Sequence, residues 1–187
     1  MNLEEALAGI KYHVWSSEPQ VATFLVSLLQ MTKGKVLIEV GTFKGQTSCY
    51  LINELSKIDE GKFYSIDIED HRDDSVKEYF ETNKDNCTFI LGDSLVKLQD
   101  FKENFADIIF LDSYHGLEQV RGEFKLVEKI IKDKGYICIH DYFSSDGVPL
   151  WIDYLKEEQF SGRLRGLEIV NLDTPEHRGL TIVKVNK

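Results

Sequence analysis

At 187 residues the chain is long enough for one full hydrophobic core. Its formal charge of −10, from 22 Lys and Arg against 32 Asp and Glu, argues against nucleic acid as a partner, because phosphate contacts need clustered cations. It has no apolar run of about 18 residues that could cross a membrane, and the acidic, amphipathic start MNLEEALAGIKYHVW does not read as a signal peptide. Cys49, Cys87 and Cys138 are scattered and form no CxxC pair. They read as core thiols of a reducing compartment, which predicts a cytoplasmic protein.

In chain order, Glu4 to Tyr12 predicts a short first helix. Ser17-Glu18-Pro19-Gln20 reads as a capping-box start, followed by a helical stripe of Val21, Phe24, Leu25, Leu28 and Leu29 ending near Lys33-Gly34. Val36 to Ser48, VLIEVGTFKGQTS, then compresses a buried strand, a glycine turn and the start of a helix over Gln46 to Ile58. A P-loop would need one more residue between Gly41 and Gly45 and a Lys at Gln46, and a dinucleotide turn would need GxGxxG. The turn therefore suits a ligand that needs bare backbone but carries no pyrophosphate.

Phe63 to Ile68 is a second strand containing Asp67, whose carboxylate can accept both hydroxyls of a ribose. A polar helix over Asp74 to Asn83 follows. The apolar run Cys87 to Leu91 ends in Gly92-Asp93-Ser94, and Ala106 to Leu111 ends in Asp112. His115 to Lys132 carries Leu117, Val120, Phe124, Val127 and Ile131 at helical spacing and stops near Lys134-Gly135. Tyr136 to Ile139 ends in His140-Asp141. Val148 to Glu158 is a last helix, and strands at Leu167 to Leu172 and Leu180 to Val185 flank a turn at Thr174 to Gly179. Five apolar runs closing in acids imply an acidic rim along the carboxyl edge of a parallel sheet, where open α/β folds bind ligands.

IEVGTFKGQTS, YSIDIED, LGDS, IIFLDSYHGLEQV and GYICIHDYF, in this order, resemble class I S-adenosylmethionine-dependent methyltransferases. Among these the chain is most similar to small-molecule O-methyltransferases with DxxH after the fourth strand and HD after the fifth. The resemblance covers roughly Lys35 to Val148. It implies an α/β fold: a Rossmann-like, seven-stranded, mostly parallel sheet with helices on both faces and a C-terminal antiparallel hairpin. Length, only three prolines and the lack of a Ser/Gly-rich linker argue for one domain over 1–187, with N-terminal helices at 1–33, a cofactor-binding core at 35–148 and a last helix and strands at 149–187. By the same resemblance Glu39, Gly41 and Gly45 line the methionine end of S-adenosylmethionine, and Asp67 takes the ribose. Asp93 faces the adenine with Ser94 beside it, and Asp112 is counted among the cofactor-binding positions.

Adjacent strand ends lie about 5 Å apart, so Asp112 and Asp141 can converge. Two convergent carboxylates suit Mg²⁺, which would hold and acidify an acceptor hydroxyl, with no third ligand given by the motif. Strand alternation points His140 away from Asp141. His115 is the candidate general base, and His115, Asp112 and Asp141 are the candidate catalytic set. Tyr12, His13, Trp15, Phe43, Tyr142 and Phe143 are candidate walls of an acceptor pocket, whereas His177 and Arg178 read as a solvated turn. The expected partner is a small-molecule acceptor such as a sugar, phenol or natural product, and the N-terminal helices could make a homodimer contact. Two other readings stand beside this one: a catalytically silent methyltransferase-like binding protein, and a nicotinamide-dependent oxidoreductase, which lacks its GxGxxG here.

Overall fold

The computed structural model describes residues 1–10, 13 and 16–187. Helix α1 (Leu3–Ala8) opens on a reciprocal capping box between Asn2 and Glu5. It is shorter than predicted, and Tyr12 and Trp15 lie outside the described residues. Helix α2 (Pro19–Thr32) begins with Pro, whose missing N–H costs nothing in the first turn. The capping box expected at residues 17–20 does not form. Glu18 is the N-cap residue but makes no side-chain cap bond. Its carboxylate turns inward to the His140 imidazole at 2.7 Å, and the Ser17 hydroxyl pairs with that of Thr47 at 2.7 Å. A buried charge pair outweighs the exposed cap, which is worth about 1 kcal/mol.

The sheet comprises β1 (Val36–Val40), β2 (Lys62–Asp67), β3 (Cys87–Leu91), β4 (Ala106–Leu111), β5 (Ile131–His140), β6 (Leu167–Leu172) and β7 (Leu180–Val185), in the order β3-β2-β1-β4-β5-β7-β6. β3, β2, β1, β4 and β5 are parallel, while β7 pairs antiparallel with β5 and β6 antiparallel with β7. This is the predicted architecture, a mostly parallel Rossmann-like sheet closed by an antiparallel hairpin. The central strands are apolar on both faces, as sheets covered on both sides must be. Ile38, Val40, Ile109 and Ile139 pack against α6 (Leu117–Ile130) and α7 (Gly147–Phe160). Leu37, Phe63, Ile108 and Phe110 pack against α2, α3 (Gln46–Leu55) and α4 (Asp74–Thr82). A short α5 (Ser94–Lys97) leads out of β3.

The boundary between α6 and β5 also differs from the sequence pattern. The helical stripe predicted to reach Lys132 stops at Ile130, and Ile131 already pairs with Ala106 as the first residue of β5. The register then shifts before Tyr136 pairs with Ile108. Ile131 is fully buried either way, so periodicity alone could not tell the last helical turn from the first strand residue.

The strand order reverses between β1 and β4, which leaves a crevice at their carboxyl ends. Every acid predicted to form the rim lies at or next to that edge.

Candidate active site

The glycine turn is built by contact with the neighbouring strand ends. Gly41 has φ +95°, and a Cβ there would lie 2.2 Å from the Asp112 carbonyl oxygen. Only glycine lets the ends of β1 and β4 approach this closely. Asp67 Oδ2 accepts the amides of Thr42 and Phe43, both at 2.8 Å, so this carboxylate also fastens the turn. Gly45, at φ +78°, is the N-cap residue of α3.

Glu39 is 1% exposed. The hydroxyls of Ser48 and Ser65 both donate to its Oε2, at 2.5 and 2.7 Å. Burial pushes its carboxyl up to about 8 even though these two donors pull it down. Beside it, Gln46 Oε1 and Ser16 Oγ are buried without a hydrogen-bond partner among the described residues. Both line one small hollow with Glu39, Gly41, Gly45 and Asp112. A buried acceptor left open next to a buried carboxyl suits a ligand that brings N–H donors and positive charge, as an amino-acid ammonium does.

From this hollow a cleft of about 760 Å³ runs along the sheet edge. Asp67, Asp93 and Ser94 line one end, and Tyr114, His115, Asp141 and Arg178 the other, with Gly41 and Asp112 between. Asp93 caps α5 through the Leu95 amide at 2.8 Å. Ser94 Oγ donates to Glu123 Oε1 at 2.6 Å, and Ser113 Oγ and Gln119 Nε2 meet the same oxygen at 2.7 and 2.8 Å. Glu123 is buried, which raises its carboxyl, while the three donors work against that shift. Sequence reasoning passed over Glu123, because a lone acid on an amphipathic helix normally faces water.

At the other end a buried ionic chain joins three parts of the molecule. His140, with no exposure, bonds Glu18 Oε2 through Nε2 at 2.7 Å and Asp112 Oδ1 through Nδ1 at 2.9 Å. Thr174 Oγ1 donates to the other Glu18 oxygen at 2.5 Å. Burial would lower the His140 imidazole, but Asp112 and Glu18 raise it to about 10. Burial would raise Glu18, but the His140 and Thr174 hydrogen bonds bring it to about 2. Asp112 likewise sits well below the usual range, because His140 and His115 outweigh its burial.

The expectation that His140 points away from Asp141 is wrong. His140 Nδ1 lies 3.4 Å from Asp141 Oδ1. Asp141 has φ +63°, so it has left the strand and its side chain no longer alternates with that of His140. Arg178 is a second correction. It is not solvated: Nε and Nη2 grip Asp141 Oδ1 and Oδ2 at 2.7 and 3.0 Å, and Nη1 donates to the Ser16 carbonyl at 2.7 Å. The turn before β7 presents it, with the Thr174 hydroxyl accepting the amides of Arg178 and Gly179. His115 lies in the loop before α6, with Nδ1 3.2 Å from Asp141 Oδ2. Its Nε2 is buried without a hydrogen bond among the described residues and is 3.6 Å from Asp112 Oδ1. A Cβ on Gly147 would strike the His115 carbonyl at 2.2 Å, so the start of α7 fixes this loop. Of the aromatic residues, Phe43 lines the cleft and meets His71 edge-on, whereas the Tyr142 hydroxyl turns to Asp153.

Asp112, His115 and Asp141 each bring a possible metal ligand within 4.8 Å of the others. The spacing suits a divalent ion, but each of the two carboxylates already holds a cation of the chain. Both oxygens of Asp141 hold the Arg178 guanidinium, and Asp112 Oδ1 holds His140. Mg²⁺ needs free carboxylate oxygens, and with both Asp141 oxygens on Arg178 the set as it stands does not fit it.

A mostly parallel sheet that reverses at an acidic crevice and closes with an antiparallel hairpin is the architecture that the methyltransferase resemblance implies. Residues 38–142, more than half of the chain, match the family described as a methyltransferase domain, and the chain belongs to that family. Its fold is similar to that of an O-methyltransferase from Bacillus cereus in complex with SAH, at 20% identity and TM-score 0.77, covering 98% of this chain and 90% of that one. It is similar to the O-methyltransferase TomG from Streptomyces achromogenes, in complex with SAM, at 14% identity and TM-score 0.76, covering 99% and 88%. It is also similar to SAH-bound methyltransferase PaMTH1 from Podospora anserina, at 16% identity and TM-score 0.72, covering 99% and 86%.

Proposed function

We propose that the protein binds S-adenosylmethionine in this cleft and transfers its methyl group to a hydroxyl of a small molecule. The observation that carries the reading is the order of groups along the cleft and the hollow that adjoins it at Gly41, Phe43 and Asp112. It runs from Asp67 and Asp93, past the glycine turn and the Glu39 hollow, to His115. Glu39 and Gln46 Oε1 suit the ammonium of the methionine end, Asp67 the ribose hydroxyls, and Asp93 with Ser94 the adenine. S-adenosylmethionine supplies an electrophilic methyl group. The chain supplies a base: His115 Nε2, carrying no hydrogen bond, takes the acceptor proton, while Asp141 at Nδ1 favours the tautomer with its proton there and steadies the imidazolium that forms. His140 and Glu18 hold Asp112 in place beside that base.

The test is incubation with methyl-labelled cofactor and a panel of phenolic and sugar hydroxyls, read by mass spectrometry. Label gained by an acceptor with wild type and lost with His115→Ala supports the reading. Cofactor binding without turnover over the whole panel favours a catalytically silent binding protein. Binding of NAD alone overturns the methyltransferase reading.

A further inference from the structure

Two carboxylates and an imidazole converge at the acceptor end of the cleft, and the cation already among them belongs to the chain. Arg178 makes a two-point contact with Asp141, the strongest geometry available to a guanidinium and a carboxylate. Its third arm is tied to the Ser16 carbonyl, and its side chain is only 14% exposed. Asp141 is filled further by the Ser144 hydroxyl on Oδ1 at 2.8 Å and by His115 Nδ1 near Oδ2 at 3.2 Å. Asp112 meets a second fixed cation, His140, which Glu18 holds from behind. A divalent ion at this point would have to take an Asp141 oxygen from the guanidinium. It would then weaken that ion pair and set a second positive charge only a few ångströms from the buried guanidinium, which is unfavourable.

We propose that Arg178 is the resident cation of this site: it holds the place a divalent metal would take, so the site excludes metal, and it sets Asp141 against His115. The inference concerns the cleft assigned above to methyl transfer and rests on that reading only for its relevance to catalysis. Metal uptake is measured with no cofactor or acceptor present, so the failure of either claim is visible separately.

The experiment is titration of Mn²⁺ into metal-stripped full-length protein, followed by electron paramagnetic resonance of the free ion. Wild type is expected to take up no Mn²⁺ in the millimolar range. Arg178→Gln frees both Asp141 oxygens and is expected to gain a site that binds Mn²⁺ more than about tenfold more tightly than wild type does. Arg178→Lys keeps the charge but can cover only one oxygen, so its uptake should fall between the two. The same series carries a catalytic readout: wild-type turnover should be unchanged by chelator. Stoichiometric Mn²⁺ uptake by wild type overturns the proposal whether or not the variants fold. Equal refusal of Mn²⁺ by wild type and by both folded variants overturns it as well.

Discussion

Replacing Glu39 by Gln should stabilise the ligand-free protein, and by an amount that grows with pH. In the unfolded chain this carboxyl titrates near 4.5, whereas burial holds it near 8 in the fold. Between those values the folded state binds a proton that the unfolded state has released, so stability falls as pH rises through the window. At ~1.4 kcal/mol per pH unit the penalty is about 1 kcal/mol at pH 5, about 3 at pH 7 and nearly 5 at pH 9. Gln keeps the acceptor oxygen that Ser48 and Ser65 need and does not titrate. Its amide nitrogen would replace the other carboxyl oxygen in a residue that lines the hollow with Gln46 and Ser16. Urea unfolding of both proteins at these three pH values measures the difference directly. A gain of about 3 kcal/mol at neutral pH is a large fraction of a typical domain's stability. The same variant should bind S-adenosylmethionine more weakly, because the Glu39 carboxyl can give up its proton and pair with the ammonium, whereas an amide cannot ionise. A stability difference that is flat with pH, or that shrinks as pH rises, would refute the reasoning.

Other outcomes follow from the same geometry. His115→Ala should lower kcat by about 10²- to 10⁴-fold, the usual contribution of a general base, while calorimetry finds cofactor affinity nearly unchanged. Glu18→Ala removes one of the two carboxylates bonded to the buried His140 cation and should cost about 3 kcal/mol, seen as a drop in Tm of roughly 10 °C. The stability Glu18 contributes is present above 4.5 and lost as pH falls toward 2, and that from His140 is present below 6.5 and lost as pH rises toward 10. Glu39 loses stability as pH rises above 4.5, so with it added wild-type Tm should be highest near pH 4.5 in a thermal scan across pH. Gly41→Ala meets a backbone carbonyl at 2.2 Å and should lower Tm more than Gly45→Ala, which meets the Val76 side chain at 2.6 Å.

The sequence made local features readable. The β1 turn announced itself through Gly41 and Gly45, and the acids at Asp67, Asp93, Asp112 and Asp141 marked strand ends because each follows a short apolar run. The hairpin of β6 and β7 was visible in its two alternating runs and the turn between them. What was missed is non-local. Glu18 resembled a cap because its neighbours are Ser17 and Pro19, yet its partners are His140 and Thr174, 122 and 156 residues away. Arg178 resembled a solvated turn residue because it follows His177, which is itself exposed; the fold carries Arg178 onto Asp141 and Ser16. Asp141 faces the same cluster as His140 because one left-handed residue cancels the alternation of the strand, and no periodicity rule anticipates that. Charges buried among apolar residues carry no local signature of the partner that makes their burial tolerable.

A crystal structure with S-adenosylhomocysteine bound tests the central claim most directly. The ribose hydroxyls are expected on Asp67, the adenine beside Asp93 and Ser94, the ammonium at Glu39 and Gln46, and the sulfur facing the His115 end of the cleft. Density for the ligand outside this cleft, or bound in it with the amino-acid end away from Glu39, would contradict that claim.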